Sequence, residues 1–225
     1  MPPAHSTIQK VIEESPSPGI SAATRAAMTQ AAVDLAALAR YRGPGTVEFV
    51  VDADSEQFFF LEMNTRIQVE HPVTEAVTGA DLVSLQLRLA AAGMGAGDLP
   101  QASISQNGHA IEMRLYAKNP NRMFLPSSGT LTTLSFPQMD GLRFDTGVRQ
   151  GDQITPHFDA MIAKLIIHGD ARQQVIERAR RAIEATEIAD FIRNLTFLDR
   201  VIAHPVFGGG KALTSFVDAY HADLV

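Results

Sequence analysis

Residues 58–71 read FFFLEMNTRIQVEH, an apolar run that passes straight into glutamate, asparagine, arginine, glutamine, glutamate and histidine. Just upstream, GTVEFVV (45–51) is a second β-rich run, and DADSE (52–56) separates the two. This pattern predicts a β-hairpin. With a turn closing near Asp54 and Ser55, Glu48 and Glu62 fall almost opposite each other on neighbouring strands. Facing carboxylates repel unless a cation or a proton lies between them. A hard, oxygen-ligated ion such as Mg²⁺ suits such a pair, with Asn64 near enough to assist. Two solvated glutamates on an exposed sheet face explain the spacing as well, and spacing alone leaves both readings open. Arg66, Gln68, Glu70 and His71 form a second polar group. A guanidinium grips a carboxylate-like or phosphate-like anion with a fixed fork, and a glutamate beside it can take a proton from an acidic substrate. On local sequence alone, a surface ion-pair network is the simpler account of these four residues.

The chain around this stretch has 225 residues, 45% of them hydrophobic and 20% charged, enough for one substantial domain or two small ones. A net charge of -6 gives no reason to expect nucleic acid, whose backbone attracts concentrated positive charge. The absence of cysteine excludes disulfides and thiolate chemistry and fits a cytoplasmic location. MPPAHSTIQK has no apolar core of the kind a signal peptide carries, and charges interrupt every apolar stretch short of a membrane span. A soluble protein is expected.

IQKVI (8–12) reads as a short strand with no partner before it, so it must pair later in the chain or with another chain. Residues 21–42 predict a helix capped by Ser21 and stopped by Gly43. Residues 63–72 read as a loop; TEAVTG and ADLVSLQLRLAAAG follow as helices, the second ending at Gly93. The glycine-rich, polar stretch 93–108 is the best internal boundary. Beyond it, HAIEMRLYAKNP predicts a strand, more β-rich sequence leads to DAMIAKLIIHG, and three helices close the chain: DARQQVIERARRAIEATEI, IRNLTFLDRVIAHP and ALTSFVDAYHADL. The RARRAIEA segment reads as a solvated helix face, and Arg114 by itself reads as a surface residue at a strand edge. The fold class is α+β in two parts.

FLEMNTRIQVEHPVTE closely resembles the signature of biotin carboxylase, the ATP-grasp component of biotin-dependent carboxylases. KVIEESPSPGI, GTVEF, the TGADLVSLQLRLAAAG helix, HAIEMRLYAKNP, FLPSSGTL, FDAMIAKLIIHG and RNLTFL resemble later blocks of that enzyme in the same order. The resemblance implies the C-terminal part of an ATP-grasp domain over 1–93, a connector over 94–108, and the biotin carboxylase C-terminal domain over 109–225. It implies an ATP-dependent ligase chemistry in which ATP and bicarbonate give carboxyphosphate, and the ureido nitrogen of biotin is carboxylated. Glu48 and Glu62 match the carboxylates that bridge Mg²⁺ or Mn²⁺ to the ATP phosphates, with Asn64 beside them. Arg66, Gln68 and the backbone of Val69 match the bicarbonate-holding group, and Glu70 the base that deprotonates bicarbonate. Arg114 matches the arginine that stabilises the biotin enolate; Lys10 matches a lysine near the nucleotide phosphates. His71 is expected to shape the loop, and Asp159 and Lys164 to support the structure.

Three positions depart from the family pattern: Ile8 stands where a histidine is usual, HFD (157–159) replaces a tyrosine-containing block, and Asp190 occupies a glycine position. The resemblance also lacks counterparts of the N-terminal α/β domain, the lid with its glycine-rich phosphate loop, and the adenine pocket. The expectation is therefore a partial biotin carboxylase, inactive or weak without a chain that supplies the missing half. The alternative is a non-catalytic fragment or scaffold subunit of a carboxylase complex. With no biotinylation motif in the chain, biotin arrives on a separate carboxyl carrier domain or protein, and a carboxyltransferase component completes the partners. A homodimer contact is a further expectation; nucleic acid and membrane are not expected partners.

Overall fold

A computed structural model describes residues 10–91, 101–122, 124–189 and 193–225. Ile8, Gly93, Asp190 and residues 94–100 of the 94–108 connector lie outside the described residues. The chain divides into two compact units: one is Pro16–Asn107, and the other joins the N-terminal segment through Ser15 to Gly108–Val225.

The second of these is built on a four-stranded antiparallel sheet of β1 (Ile12–Ser15), β4 (His109–Tyr116), β5 (Leu142–Thr146) and β6 (Met161–Gly169), in the order β1-β4-β6-β5. The N-terminal strand finds its partner far along the chain, where Ile12 pairs with Met113 and Ser15 with Ala110. It begins at Ile12 and runs into IEES, so it starts later than the IQKVI pattern suggests. The apolar face of the sheet carries Ile111, Met113, Leu115, Leu165 and Ile167, all fully buried. Against it pack Val175 and Ala179 of α4 (Arg172–Glu184) and Leu198 and Ile202 of α5 (Leu195–Ala203). These helices bury one apolar stripe each, and Arg180 and Arg181 stay exposed on α4, the solvated face its pattern implies. The last predicted helix is broken in two, Phe216–Ala219 and His221–Leu224, around Tyr220.

β4 has all eight residues buried. Its alternation sends Ile111, Met113 and Leu115 into the apolar core, which leaves Glu112, Arg114 and Tyr116 on the other face. Arg114 is therefore not a surface residue at an edge: it lies in an interior strand and is 7% exposed.

The other unit holds α1 (Ala22–Leu38), the hairpin β2 (Thr46–Val51) and β3 (Phe58–Asn64), and the helices α2 (His71–Thr78) and α3 (Leu82–Ala90). Ser21 caps α1 by accepting from the Thr24 amide at 3.2 Å. The helix stops at Leu38, short of Gly43, because Arg40 takes a left-handed conformation with φ 50°. α2 starts at His71, earlier than the sequence suggests, since Pro72 in its first turn has no amide to leave unsatisfied. It ends on Gly79, whose φ of 72° suits a residue with no Cβ. Glu75 of α2 is buried and accepts the Leu82 amide at 2.8 Å, which ties α2 to the start of α3.

Candidate functional site

The hairpin closes through the Asp52 and Gln57 backbones, and its register pairs Glu48 with Glu62. That pairing depends on an irregularity. Val51 pairs with Phe58 and Phe49 with Phe60, so a regular ladder would place Leu61 opposite Glu48. Leu61 is instead the extra residue of a β-bulge, and the slip of one residue brings Glu62 into register with Glu48. Phe49 packs edge-on against Phe58 and Phe60, which fixes the aromatic face of the same hairpin. The bulge thus lets an aromatic pairing and a carboxylate pairing coexist on adjacent rungs.

Asn64, at the end of β3, binds both carboxylates through one atom. Its Nδ2 donates to Glu48 Oε1 at 2.9 Å and to Glu62 Oε1 at 3.1 Å. The buried Gln68 reaches back from the following loop, donating from Nε2 to Glu48 Oε1 at 3.1 Å. Its carbonyl is held by His71 Nδ1 at 2.7 Å and by the His71 amide at 3.3 Å, so His71 shapes the loop as expected. Glu70 is the N-terminal flanking residue of α2, and its carbonyl accepts the Val73 amide. Val69 and Glu70 are half-buried, whereas Arg66 is exposed and donates to the Ile67 carbonyl at 3.2 Å. The structure therefore brings Glu48, Glu62, Asn64 and Gln68 into direct contact and places Arg66, Val69 and Glu70 on the loop that continues from them.

Among the described residues, no group of three or more His, Asp or Glu side chains is placed to hold a metal ion. The candidate cation site is smaller: two carboxylates whose oxygens converge on one amide. That donor set fits Mg²⁺ or Mn²⁺, which typically take one or two protein carboxylates and complete their shells with phosphate oxygens and water. The convergence itself is the observation in favour, because two like charges share one neutral donor.

Arg114 and Lys10 belong to the other unit. Arg114 Nη2 lies 2.5 Å from Glu13 Oε1, and its Nε is 4.0 Å from Oε1 of the fully buried Glu112. Burial pushes the Tyr116 phenol above the ordinary tyrosine range, with a hydrogen bond and the charge of Arg114 opposing and Asp159 and Glu13 reinforcing. Lys164 pairs with Arg114 in the sheet register, is buried, and lies 3.5 Å from Asp145. Burial alone would raise the Asp145 carboxyl; hydrogen bonds and charge from Arg143 and Lys164 outweigh it and hold the group below its usual value. Asp159 Oδ1 accepts the Met161 amide at 3.1 Å. Lys10 is exposed at the entry to β1. Sequence reasoning passed over Glu13, Glu112 and Tyr116. Their signal was present in the i±2 spacing of Glu112 and Tyr116 about Arg114, but the partner strand that delivers Glu13 comes from the far end of the chain.

Residues 112–219 match the family described as biotin carboxylase C-terminal domain, and residues 3–95 match the carbamoyl-phosphate synthase L chain, ATP binding domain. The α subunit of mouse mitochondrial methylcrotonoyl-CoA carboxylase is 45% identical over 221 residues, which is 96% of this chain and 30% of that protein. Biotin carboxylase of Halalkalibacterium halodurans is 46% identical over 211 residues, 93% of this chain and 45% of that protein. The biotin carboxylase domain of Hydrogenobacter thermophilus 2-oxoglutarate carboxylase, solved with MgADP, ADP and bicarbonate, superposes with a TM-score of 0.92 at 34% identity. That match covers 98% of this chain and 48% of that one. Kluyveromyces lactis urea carboxylase superposes with a TM-score of 0.88 at 42% identity, covering 94% of this chain and 18% of that one. The chain spans less than half the length of each of these relatives.

Proposed function

Because the chain belongs to the biotin carboxylase family and spans part of its length, we propose that it supplies the bicarbonate and carboxyl-transfer machinery of a biotin carboxylase. The observation that carries this reading is the bulged hairpin that sets Glu48 opposite Glu62 and shares Asn64 between them, on the strand that leads into Arg66, Gln68 and Glu70.

Each residue has a role its chemistry suits. Glu48, Glu62 and Asn64 would hold Mg²⁺ or Mn²⁺, which supplies positive charge against the ATP phosphates during phosphoryl transfer. Arg66, Gln68 and the Val69 amide hold bicarbonate, the guanidinium fork matching a planar anion. Glu70 takes the bicarbonate proton as the anion attacks the terminal phosphate; carboxyphosphate and ADP result. Carboxyphosphate then breaks down to CO₂ and phosphate; that phosphate takes the ureido N–H proton of biotin, and the nitrogen so freed attacks the CO₂. Arg114 stabilises the negative charge that develops on the ureido oxygen in that second step. Lys10, on the other unit, has the charge to suit an anionic phosphate.

In this reading the adenine pocket and the lid would be supplied by further polypeptide, in keeping with relatives that are more than twice as long. A biotin carboxyl carrier and a carboxyltransferase component are the further partners, with a homodimer as the assembly and the cytoplasm as the location. The methylcrotonoyl-CoA, 2-oxoglutarate and urea carboxylases among its relatives support carrier-bound biotin as the shared acceptor and leave the final substrate to the transferase. The non-catalytic scaffold reading gains less support, because a scaffold does not require Gln68 buried on the Glu48 carboxylate.

The cation site is testable on the chain itself. Titration with Mn²⁺ is expected to broaden the Asn64 and Gln68 side-chain amide signals in an NMR spectrum before others, and a Glu48→Gln/Glu62→Gln double variant is expected to abolish that selectivity. Uniform broadening in the parent chain would contradict the site.

A further inference from the structure

Arg114 is fixed on several sides at once. Its amide donates to the Val11 carbonyl of the segment entering β1 at 2.9 Å, and its guanidinium meets Glu13 two residues further on at 2.5 Å. Glu13 itself pairs in register with Glu112, whose carboxylate approaches Arg114 Nε from the same strand. Tyr116 adds a side-chain hydrogen bond. A single carboxylate is enough to neutralise a buried guanidinium, and here two flank it. The N-terminal segment thus meets Arg114 twice, through the Val11 carbonyl and through the Glu13 side chain.

A guanidinium is a rigid plane with five N–H donors, so fastening one edge sets the direction of the others. We infer that Glu13 is a positioning residue for Arg114: its carboxylate holds one edge of the guanidinium so that the remaining donors are presented to the oxygen of a planar, urea-like acceptor. The inference rests on the proposed role of Arg114 in carboxyl transfer. Glu13 touches neither biotin nor bicarbonate in this scheme; it acts through Arg114. A displacement of about 1 Å at such a donor is enough to cost roughly a hundredfold in rate.

The test observes the guanidinium directly, by NMR of the full chain carrying ¹⁵N-arginine. In the parent protein, Arg114 is expected to give resolved, slowly rotating Nη–H signals, identified by their loss in Arg114→Lys, and free biotin is expected to shift them. In Glu13→Gln those signals are expected to average to one and the biotin response to weaken about tenfold or more, with the backbone amide spectrum unchanged; Glu13→Asp is expected to keep part of both. Resolved signals and a full biotin response in Glu13→Gln would overturn the inference, because Arg114 would then be held without Glu13. Signals that collapse in Glu13→Gln while biotin leaves the parent chain unmoved would locate the failure elsewhere. That result would confirm the hold and reject the acceptor role of Arg114, and with it the functional part of the inference.

Discussion

At the scale of single residues, the best-defined electrostatic feature outside the candidate site is Glu14. It accepts from His109 Nε2 at 2.9 Å and from Arg172 Nε at 2.8 Å, and Arg172 goes on to the Phe207 and Gly208 carbonyls at 2.8 and 2.7 Å. One carboxylate thereby binds β1, β4, α4 and the turn at Pro205–Gly208. Burial works against its charge, but the hydrogen bonds from His109 and Arg172 and the Arg172 charge prevail and hold its carboxyl below the usual value near 4.5. A carboxyl depressed in the folded state stabilises fully above its unfolded value, and that contribution disappears as the pH falls through the folded value. Glu14→Gln is expected to cost about 3 kcal/mol at neutral pH, as when one partner of a buried pair is removed. It is also expected to flatten the acid limb of stability below about pH 4.5. Urea unfolding across pH 3–7 measures both, and an unchanged acid limb would count against this role for Glu14.

At the scale of elements, the two units are built very differently. β4 is buried along its whole length, whereas α1 buries none of its residues and α3 buries none either. Opening of α1 therefore exposes little apolar surface, and opening of β4 exposes the core of its sheet. Hydrogen exchange is expected to be fast in α1 and α3 and slowest in β4 and β6. Comparable protection in α1 and β4 would contradict the burial pattern. Much of this arrangement was legible in the sequence: the hairpin, its two glutamates, the Ser21 cap and the strand around Arg114 all follow from local patterns. What was not legible depended on partners distant in sequence or on backbone irregularity. The bulge at Leu61 leaves no mark in the alternation of FFFLEMN, yet it sets the Glu48–Glu62 register. Arg114 looked like an edge residue because nothing near HAIEMRL announces that strands arrive from residues 12–15 and 161–169 on either side of it. Arg40 ended α1 before Gly43 by adopting a left-handed turn that arginine seldom favours.

At the scale of the whole chain, Pro16–Asn107 carries apolar surface that a finished unit would normally bury. On the hairpin, Phe59 is 60% and Leu61 58% exposed, and on α3 Leu87 is 66% exposed. These exposed apolar side chains are surface that further polypeptide would cover, and the chain spans less than half of the relatives described above. The central claim is that the bicarbonate and transfer groups here work once the remainder of a biotin carboxylase is supplied. Its most direct measurement is bicarbonate-dependent phosphate release from ATP with Mg²⁺ and free biotin. The chain is assayed alone, with the part of Halalkalibacterium halodurans biotin carboxylase that it does not match, and with that part plus a Glu70→Gln chain. The account predicts release only in the mixture with the parent chain and a loss of about a hundredfold or more with Glu70→Gln. Release by the chain alone, or a mixture indifferent to Glu70, would contradict it.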